Sequence, residues 1–149
     1  MTKKFLILAV AASIVLVFFG CKTTKKAAVG KTSTLVDTHW QLEALYGKPI
    51  DPGTAMAQPY IIFQEDGNTN GYLGCNIFFG TYYQKKQKLQ MELISASKKL
   101  CPQMDMERLF IKGMKENITS FSIKDSTLII YADKAEIFRF KDSGKVLDE

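Results

Sequence analysis

The sequence predicts a mainly β domain with one helix, folded as an antiparallel sandwich or barrel of about eight strands. Short apolar runs separated by turn residues extend over residues 39–140, a pattern typical of antiparallel all-β domains. Only residues 102–117 repeat their apolar side chains at helical spacing instead. The chain has 149 residues, which is enough for one domain with a modest core.

Eight runs are the candidate strands, and each is rich in the aromatic and branched residues that strands favour. Asp66-Gly67, residues 124–126 and Asp133-Lys134 are the predicted hairpin corners, because these residue types suit tight turns. The runs, in chain order, are HWQLEAL, PYIIFQE, NGYLGC, IFFGTYYQ, KLQMELI, SFSIKD, TLIIYA and EIFRF.

The predicted helix, residues 102–117, is amphipathic. Met106 and Phe110 share one face, and charged residues occupy the other. Pro102 suits a first helical position and Asn117 suits a C-terminal stop. We therefore expect the apolar face of this helix to pack on the sheet.

The first twenty residues predict a secretory signal. Two lysines precede an unbroken apolar run over residues 5–19, which is shorter than the roughly 20 residues that span a bilayer. Gly20 and Cys21 follow, and this order resembles a bacterial lipoprotein signal, in which the cysteine is acylated. The alternative is an uncleaved membrane anchor. By the same resemblance, Lys22 after the cysteine implies an outer-membrane lipoprotein that faces the periplasm.

These patterns divide the chain into four parts. Residues 1–20 are the predicted signal peptide, and residues 21–36, which are small and polar, are a flexible tether. Residues 37–141 form the predicted domain, and residues 142–149 form a polar, frayed tail. Cleavage after Gly20 removes two lysines and no acid, so the formal net charge falls from +5 to +3.

This modest charge on an exported chain does not favour a nucleic-acid function. The lysines form two clusters, which we interpret as solvated turns. The alternative interpretation is contact with anionic components of the envelope. The clustered lysines are Lys85, Lys86, Lys88, Lys98 and Lys99.

If Cys21 carries lipid, Cys75 and Cys101 remain as an even pair in an oxidising compartment, which predicts a disulfide. Two free thiols are the alternative. Neither cysteine belongs to a C-x-x-C pair, and His39, the single histidine, cannot complete a zinc site or serve an obvious thiol nucleophile. Gly74 and Asn76 are interpreted as the corner that presents Cys75, because asparagine tolerates turn geometry and can bond its own backbone.

No sequence motif for catalysis, phosphate binding or calcium binding is present. The closest carboxylates, Asp105 with Glu107 and Glu65 with Asp66, lie in a first helical turn and a hairpin corner, where acids are expected on structural grounds. The sequence therefore predicts no catalytic residue, no metal and no cofactor.

Together the motifs resemble the META or HslJ-like domain over about residues 37–140. The resemblance implies a barrel-like antiparallel sheet with a helix packed on it, no established catalytic activity, and a place in the cell envelope with links to stress tolerance, motility or virulence. The motif residues are Trp40, Leu42, Gly74, Cys75, Asn76, Phe78, Gly80, Cys101, Glu107 and Phe110.

The leading hypothesis is a non-enzymatic outer-membrane lipoprotein whose domain binds an envelope protein or component in envelope integrity, stress tolerance or assembly. The second is a carrier of a small apolar ligand held between sheet and helix. An enzyme or enzyme inhibitor is the third. In IFFGTYYQ both strand faces carry aromatic rings, so Phe79 and Tyr83 are the predicted ligand or partner surface.

Overall fold

The computed structural model describes residues 33–51, 53 and 55–145. The predicted signal peptide, Cys21 and most of the predicted tether lie outside these residues. Within them, no helix is both long enough and apolar enough to cross a membrane. The elements are β1 (Thr38–Leu45), β2 (Lys48–Pro49), β3 (Tyr60–Phe63), β4 (Asn68–Tyr72), β5 (Ile77–Lys85), β6 (Lys88–Ala96), α1 (Asp105–Met114), β7 (Ile118–Lys124), β8 (Thr127–Ala132) and β9 (Ala135–Lys145).

Eight of the strands close into an antiparallel barrel. β1 pairs with β3 on one side and with β9 on the other, and β2 is a two-residue strand that pairs antiparallel with the end of β1. The strand pairing around the barrel is weakest between β6 and β7, which share a single residue pair, Lys88 with Ser120. The prediction of a mainly β, barrel-like sheet of about eight strands with one helix is confirmed.

Three of the hairpins turn at the predicted corners. Gly67 between β3 and β4, Asp125 between β7 and β8, and Asp133 between β8 and β9 all have positive φ angles, of 85°, 48° and 53°. Glycine and aspartate accept this left-handed conformation at low cost. Local turn chemistry therefore sets most of the strand order.

Aromatic rings fill the barrel between sheet and helix. The ring centroid of Phe110 in α1 lies 4.9 Å from that of Phe138, 6.0 Å from that of Phe78 and 6.2 Å from that of Phe140. All four rings are fully buried. The helix therefore acts as part of the core, as its apolar face predicts.

The helix is shorter than the predicted residues 102–117. It begins at Asp105, and Met104 precedes it without a side-chain capping bond. Pro102 stays outside the helix because the preceding residues are held against the start of β5, where the backbone N–H of Ser97 donates to the carbonyl of Ile77. Tertiary bonds upstream of the helix thus decide where it starts.

The folded domain also extends beyond the predicted boundaries of residues 37 and 141. At its start, Leu35 is buried and its carbonyl accepts the indole N–H of Trp40 at 2.9 Å. At its end, β9 continues to Lys145, which pairs with Thr38 of β1. Polar residues 142–145 are ordered by strand pairing, an effect that composition does not reveal.

We expect Gly113→Ala to lower the free energy of unfolding by about 1–2 kcal/mol, although alanine is the better helix former. A Cβ at Gly113 would lie 2.5 Å from Cζ of Phe138 and 3.0 Å from Cγ2 of Ile137. Urea denaturation checks this, with Arg108→Ala on the exposed face of α1 as the matched control. A gain in stability for Gly113→Ala would contradict the close packing of α1 on β9.

Candidate functional site

Gly74, Cys75 and Asn76 form the corner between β4 and β5. Gly74 has a φ of +105°, a conformation that residues with a side chain rarely adopt. A Cβ there would lie 3.1 Å from the Cβ of Ala55. The turn closes where the backbone N–H of Leu73 donates to the carbonyl of Asn76 at 2.8 Å. This geometry places Cys75 in a buried position at the end of the barrel.

Cys75 is joined to Cys101 by a disulfide that spans 26 positions of sequence. Cys101 lies just before α1, so the bond ties the segment that enters the helix to the corner between β4 and β5. Because both sulfurs are used in this bond, neither cysteine offers a thiolate nucleophile or a thiolate metal ligand.

The side chain of Asn76 joins three segments at this corner. Its amide nitrogen donates to Oε1 and Oε2 of Glu107 at 2.9 and 3.0 Å and to the carbonyl of Lys99 at 3.1 Å. Its oxygen accepts the hydroxyl of Ser97 at 2.6 Å and the backbone N–H of Lys99 at 2.7 Å. The expected local turn bond is therefore replaced by contacts with distant residues.

Glu107 completes this network from the helix. Glu107 is 6% exposed, and its carboxylate also accepts the backbone N–H of Asn76 at 3.0 Å. We call Cys75, Asn76, Cys101 and Glu107 the corner clamp. Glu107 thus accepts both the side-chain amide and the backbone N–H of Asn76. Such donors stabilise a buried carboxylate, so the clamp fastens α1 and the segment before it to β5.

The clamp has no histidine beside it. His39 lies on the outer face of β1, where its ring is 4.1 Å from that of Tyr60 and its Nδ1 is 2.6 Å from the hydroxyl of Ser143. Burial lowers the pKa of His39. In the described part of the chain, no cluster of histidine, cysteine, aspartate and glutamate residues has the arrangement of a metal site.

The other motif residues face the interior. Trp40, Leu42, Phe78 and Phe110 are fully buried, and Gly80 pairs with Thr69 of β4. The whole motif thus serves the core and the corner clamp. Apart from the corner clamp, these motif residues leave little side-chain surface in solvent, so the exposed side chains of the domain lie elsewhere.

The outer face of β5 carries both predicted surface residues. Phe79 is 52% exposed and Tyr83 is 60% exposed, whereas Phe78 and Tyr82 turn inward. Neighbouring strands extend this face, since Phe79 pairs with Asn70 of β4 and with Ser95 of β6.

Three further exposed apolar residues join Phe79 and Tyr83. Ile77 precedes Phe79 on the same face, and Ile94 lies at an irregularity where β6 has one residue more than β5. Leu100 is 96% exposed in the segment that the corner clamp holds beside Ile77. The alternation of the IFFGTYYQ run places Ile77 on the face of Phe79 and Tyr83. Sequence analysis missed Ile94 and Leu100, because neither the bulge nor the position of Leu100 is visible in a local pattern.

The exposed surface of residues 77–100 is therefore apolar and basic, and we call it the basic wall. It holds five of the seven large hydrophobic side chains that are exposed in the described part of the chain. Its apolar members are Ile77, Phe79, Tyr83, Ile94 and Leu100, and its lysines are Lys85, Lys86, Lys88, Lys98 and Lys99.

An acidic turn borders the basic wall near Tyr83. Glu65 and Asp66 lie between β3 and β4, and together with Tyr82 and Tyr83 they line one open surface hollow. The pKa of Tyr82 is raised, first by burial and then by the negative charges of Asp37, Asp66 and Glu65. The acidic turn thus lies near the end of the wall that carries Lys85, Lys86 and Lys88. Lys98 and Lys99 lie at the other end, next to Leu100.

Comparisons with known proteins agree with this architecture. The META domain family model matches residues 33–144. The chain is similar to an NMR structure of a protein from Burkholderia xenovorans, with 18% identity and a TM-score of 0.59 over 74% of this chain and 85% of that chain.

A second similar structure is the crystal structure of a DUF4847 family protein from Bacteroides vulgatus ATCC 8482. It has 14% identity and a TM-score of 0.53, over 76% of this chain and 96% of that chain. At such low identity these likenesses show the fold alone. No curated protein matches the chain in sequence. Because the family model covers most of the chain, including the whole barrel and the corner clamp, this protein belongs to the META domain family.

Proposed function

We propose that this protein is a non-enzymatic, HslJ-like lipoprotein of the cell envelope, whose META domain binds an envelope protein or component through the basic wall. Cys21 is the proposed site of lipid attachment, and the outer membrane, facing the periplasm, is the proposed location. Binding of this kind would support envelope integrity, stress tolerance or assembly.

One observation carries this proposal: exposed apolar side chains are concentrated on the basic wall. Ile77, Phe79 and Tyr83 alternate along one exposed face of β5. Monomeric soluble domains rarely leave large apolar patches in water, so this concentration favours a binding partner. Phe79 alone leaves about half of its surface in water at the centre of a strand. The fold does not require an aromatic side chain at this exposed position, because a polar residue would suit the strand there.

The alternative of a small apolar ligand between sheet and helix finds less support. Phe110 contacts Phe78, Phe138 and Phe140 there, and protein side chains therefore take up the space that a ligand would need. The disulfide between Cys75 and Cys101 leaves neither cysteine as a free thiol for catalysis. This is consistent with a binding function at the outer surface.

Site-specific photo-crosslinking tests the proposal. We expect a photo-reactive amino acid at position 79, in cells that naturally express the protein, to give a reproducible covalent adduct. The matched control is the same amino acid at Glu43, which is exposed on β1 across the barrel. Phe79→Ser should abolish binding of the envelope partner and lower the free energy of unfolding by less than about 0.5 kcal/mol. Phe78→Ala should lower the free energy of unfolding by about 3–5 kcal/mol.

Two results would contradict the proposal. One is the same adduct pattern at positions 79 and 43, which would indicate random encounters. The other is a Phe79→Ser variant that unfolds, because that would make Phe79 a structural residue.

A further inference from the structure

We infer that the basic wall docks on a lipid surface that carries anionic headgroups. This inference rests on the proposed function and names the envelope component that the wall contacts. Charge, apolar exposure and the place where the chain enters the barrel each favour such a surface.

The charge of the domain is strongly divided. Residues 77–100 hold five lysines and one acid, Glu92, for a net charge of +4. The other described residues hold nine lysines and arginines against twelve aspartates and glutamates, for a net charge of −3. A domain that is almost neutral thus presents one positive side, and anionic membranes attract such a side by about 1 kcal/mol for each nearby lysine.

The apolar side chains lie where a membrane interface would receive them. Leu100 is 96% exposed and follows two exposed lysines, Lys98 and Lys99. The segment that bears it is fixed by the Cys75–Cys101 disulfide and by the bonds of Asn76 to Lys99. Because this segment is held in place before it binds, insertion of Leu100 costs little conformational entropy. Basic residues beside apolar ones are typical of surfaces that lie in the interface.

The entry of the chain into the barrel also fits a docked orientation. Val36, near the start of the domain, shares a surface hollow with Tyr83 and Gln84 of the wall. A flexible linker between Cys21 and Ser33 would span about 20 Å root mean square. Lipid attached at Cys21 would therefore hold the domain close enough for the wall to lie on the same membrane. Glu65 and Asp66 line the same hollow, so the chain enters at the acidic end of the wall, and Leu100, which follows Lys98 and Lys99, is the end that inserts.

Tryptophan fluorescence tests this orientation in the full chain. Phe79→Trp and Glu43→Trp proteins are reconstituted in vesicles of brominated phosphatidylglycerol, or of brominated phosphatidylcholine, since bromine quenches only tryptophans that touch the acyl region. The native Trp40 is fully buried and serves as an internal reference in both proteins. We expect strong quenching at position 79 in the anionic vesicles, and little at position 43 or in the zwitterionic vesicles.

The lysines provide the quantitative test. Each of Lys98→Gln and Lys99→Gln, made in the Phe79→Trp protein, should lower the ratio of docked to undocked domain about fivefold. Raising salt from about 0.1 M to about 1 M shortens the screening length from about 10 to about 3 Å, and should release the unmodified wall. Glu65→Gln, at the edge of the wall, should leave docking unchanged or strengthen it.

Equal quenching at positions 79 and 43, or no quenching at either, would overturn lipid docking. Equal quenching of position 79 in anionic and zwitterionic vesicles would also overturn it, because the lysines would then have no role. If the vesicles give no quenching at position 79 while the photo-crosslink there captures one protein, the wall binds a protein and the proposed function stands. If there is neither quenching in the vesicles nor a specific adduct at position 79, the proposed function is wrong as well.

Discussion

Replacing Asn76 with alanine is expected to lower the free energy of unfolding by about 3–5 kcal/mol, because several buried polar groups, one of them a carboxylate, lose hydrogen bonds at once. The substitution removes the amide that donates to both oxygens of Glu107. It also removes the oxygen that accepts bonds from Ser97 and Lys99. The carboxylate of Glu107, a buried residue, would then keep one of these hydrogen bonds, from the backbone N–H of residue 76.

A loss of this size should be plain in a thermal unfolding experiment. For a domain of about this size, each kcal/mol corresponds to about 4 °C in Tm, so Asn76→Ala should lower Tm by more than about 10 °C. The matched control is Asn70→Ala, on the outer face of β4, which should change stability by less than about 0.5 kcal/mol. Similar Tm values for these two variants would show that the corner clamp contributes little.

Glu107→Gln distinguishes the charge from the hydrogen bonds. Glutamine keeps the shape and one acceptor oxygen but turns an amide toward the amide of Asn76, so one favourable contact becomes a repulsive one. We expect a smaller loss than in Asn76→Ala, since no charge is then left unpaired. The double variant should be less destabilised than the sum of the two single losses, because the residues act on the same network.

Reduction of the Cys75–Cys101 disulfide is expected to lower the free energy of unfolding by about 3.5 kcal/mol, the chain-entropy value for the loop it closes. The cysteines are 26 positions apart, so the bond removes much of the freedom of the unfolded chain. For a domain whose total stability is on the order of 5–15 kcal/mol, this is a large share. Urea denaturation of the same preparation with and without reductant measures it directly.

The two serine variants should not be equivalent. Chain entropy alone predicts equal losses for Cys75→Ser and Cys101→Ser. Cys75 is 4% exposed, however, whereas Cys101 is half-buried, so a hydroxyl at position 75 is harder to solvate. We expect Cys75→Ser to be the less stable of the two. Two freely alkylated thiols in native, unreduced protein would rule out the bond and this ranking together.

The barrel was predictable because its hairpins are local. Turn residues such as Asp66-Gly67 and Asp133-Lys134 mark corners that the structure uses, and apolar alternation marks the strands between them. Two other features were not local. Residues 142–145 look like a polar tail but pair with β1, and the start of α1 is set by bonds to β5 rather than by Pro102.

The candidate site shows the same division. Phe79 was identified from the alternation of one strand, and its exposure follows from the period of two that strands impose. Glu107 was interpreted as an acid in a first helical turn, and Asn76 as a turn residue. Their contact joins positions 31 apart, and neither residue type in isolation distinguishes a buried network from a solvated end. Ile94 reaches the basic wall only through an irregularity in β6.

The barrel closes only when β9 pairs with β1. The residue pairs between these strands, such as Leu45 with Phe138 and Thr38 with Lys145, join the two ends of the sequence that forms the barrel. Contacts between such distant residues are slow to form, because a long loop must close before they contribute. Until β9 arrives, the edge of β1 remains unpaired and open to other strands. The interval before β9 pairs with β1 is therefore when this chain is most open to wrong association.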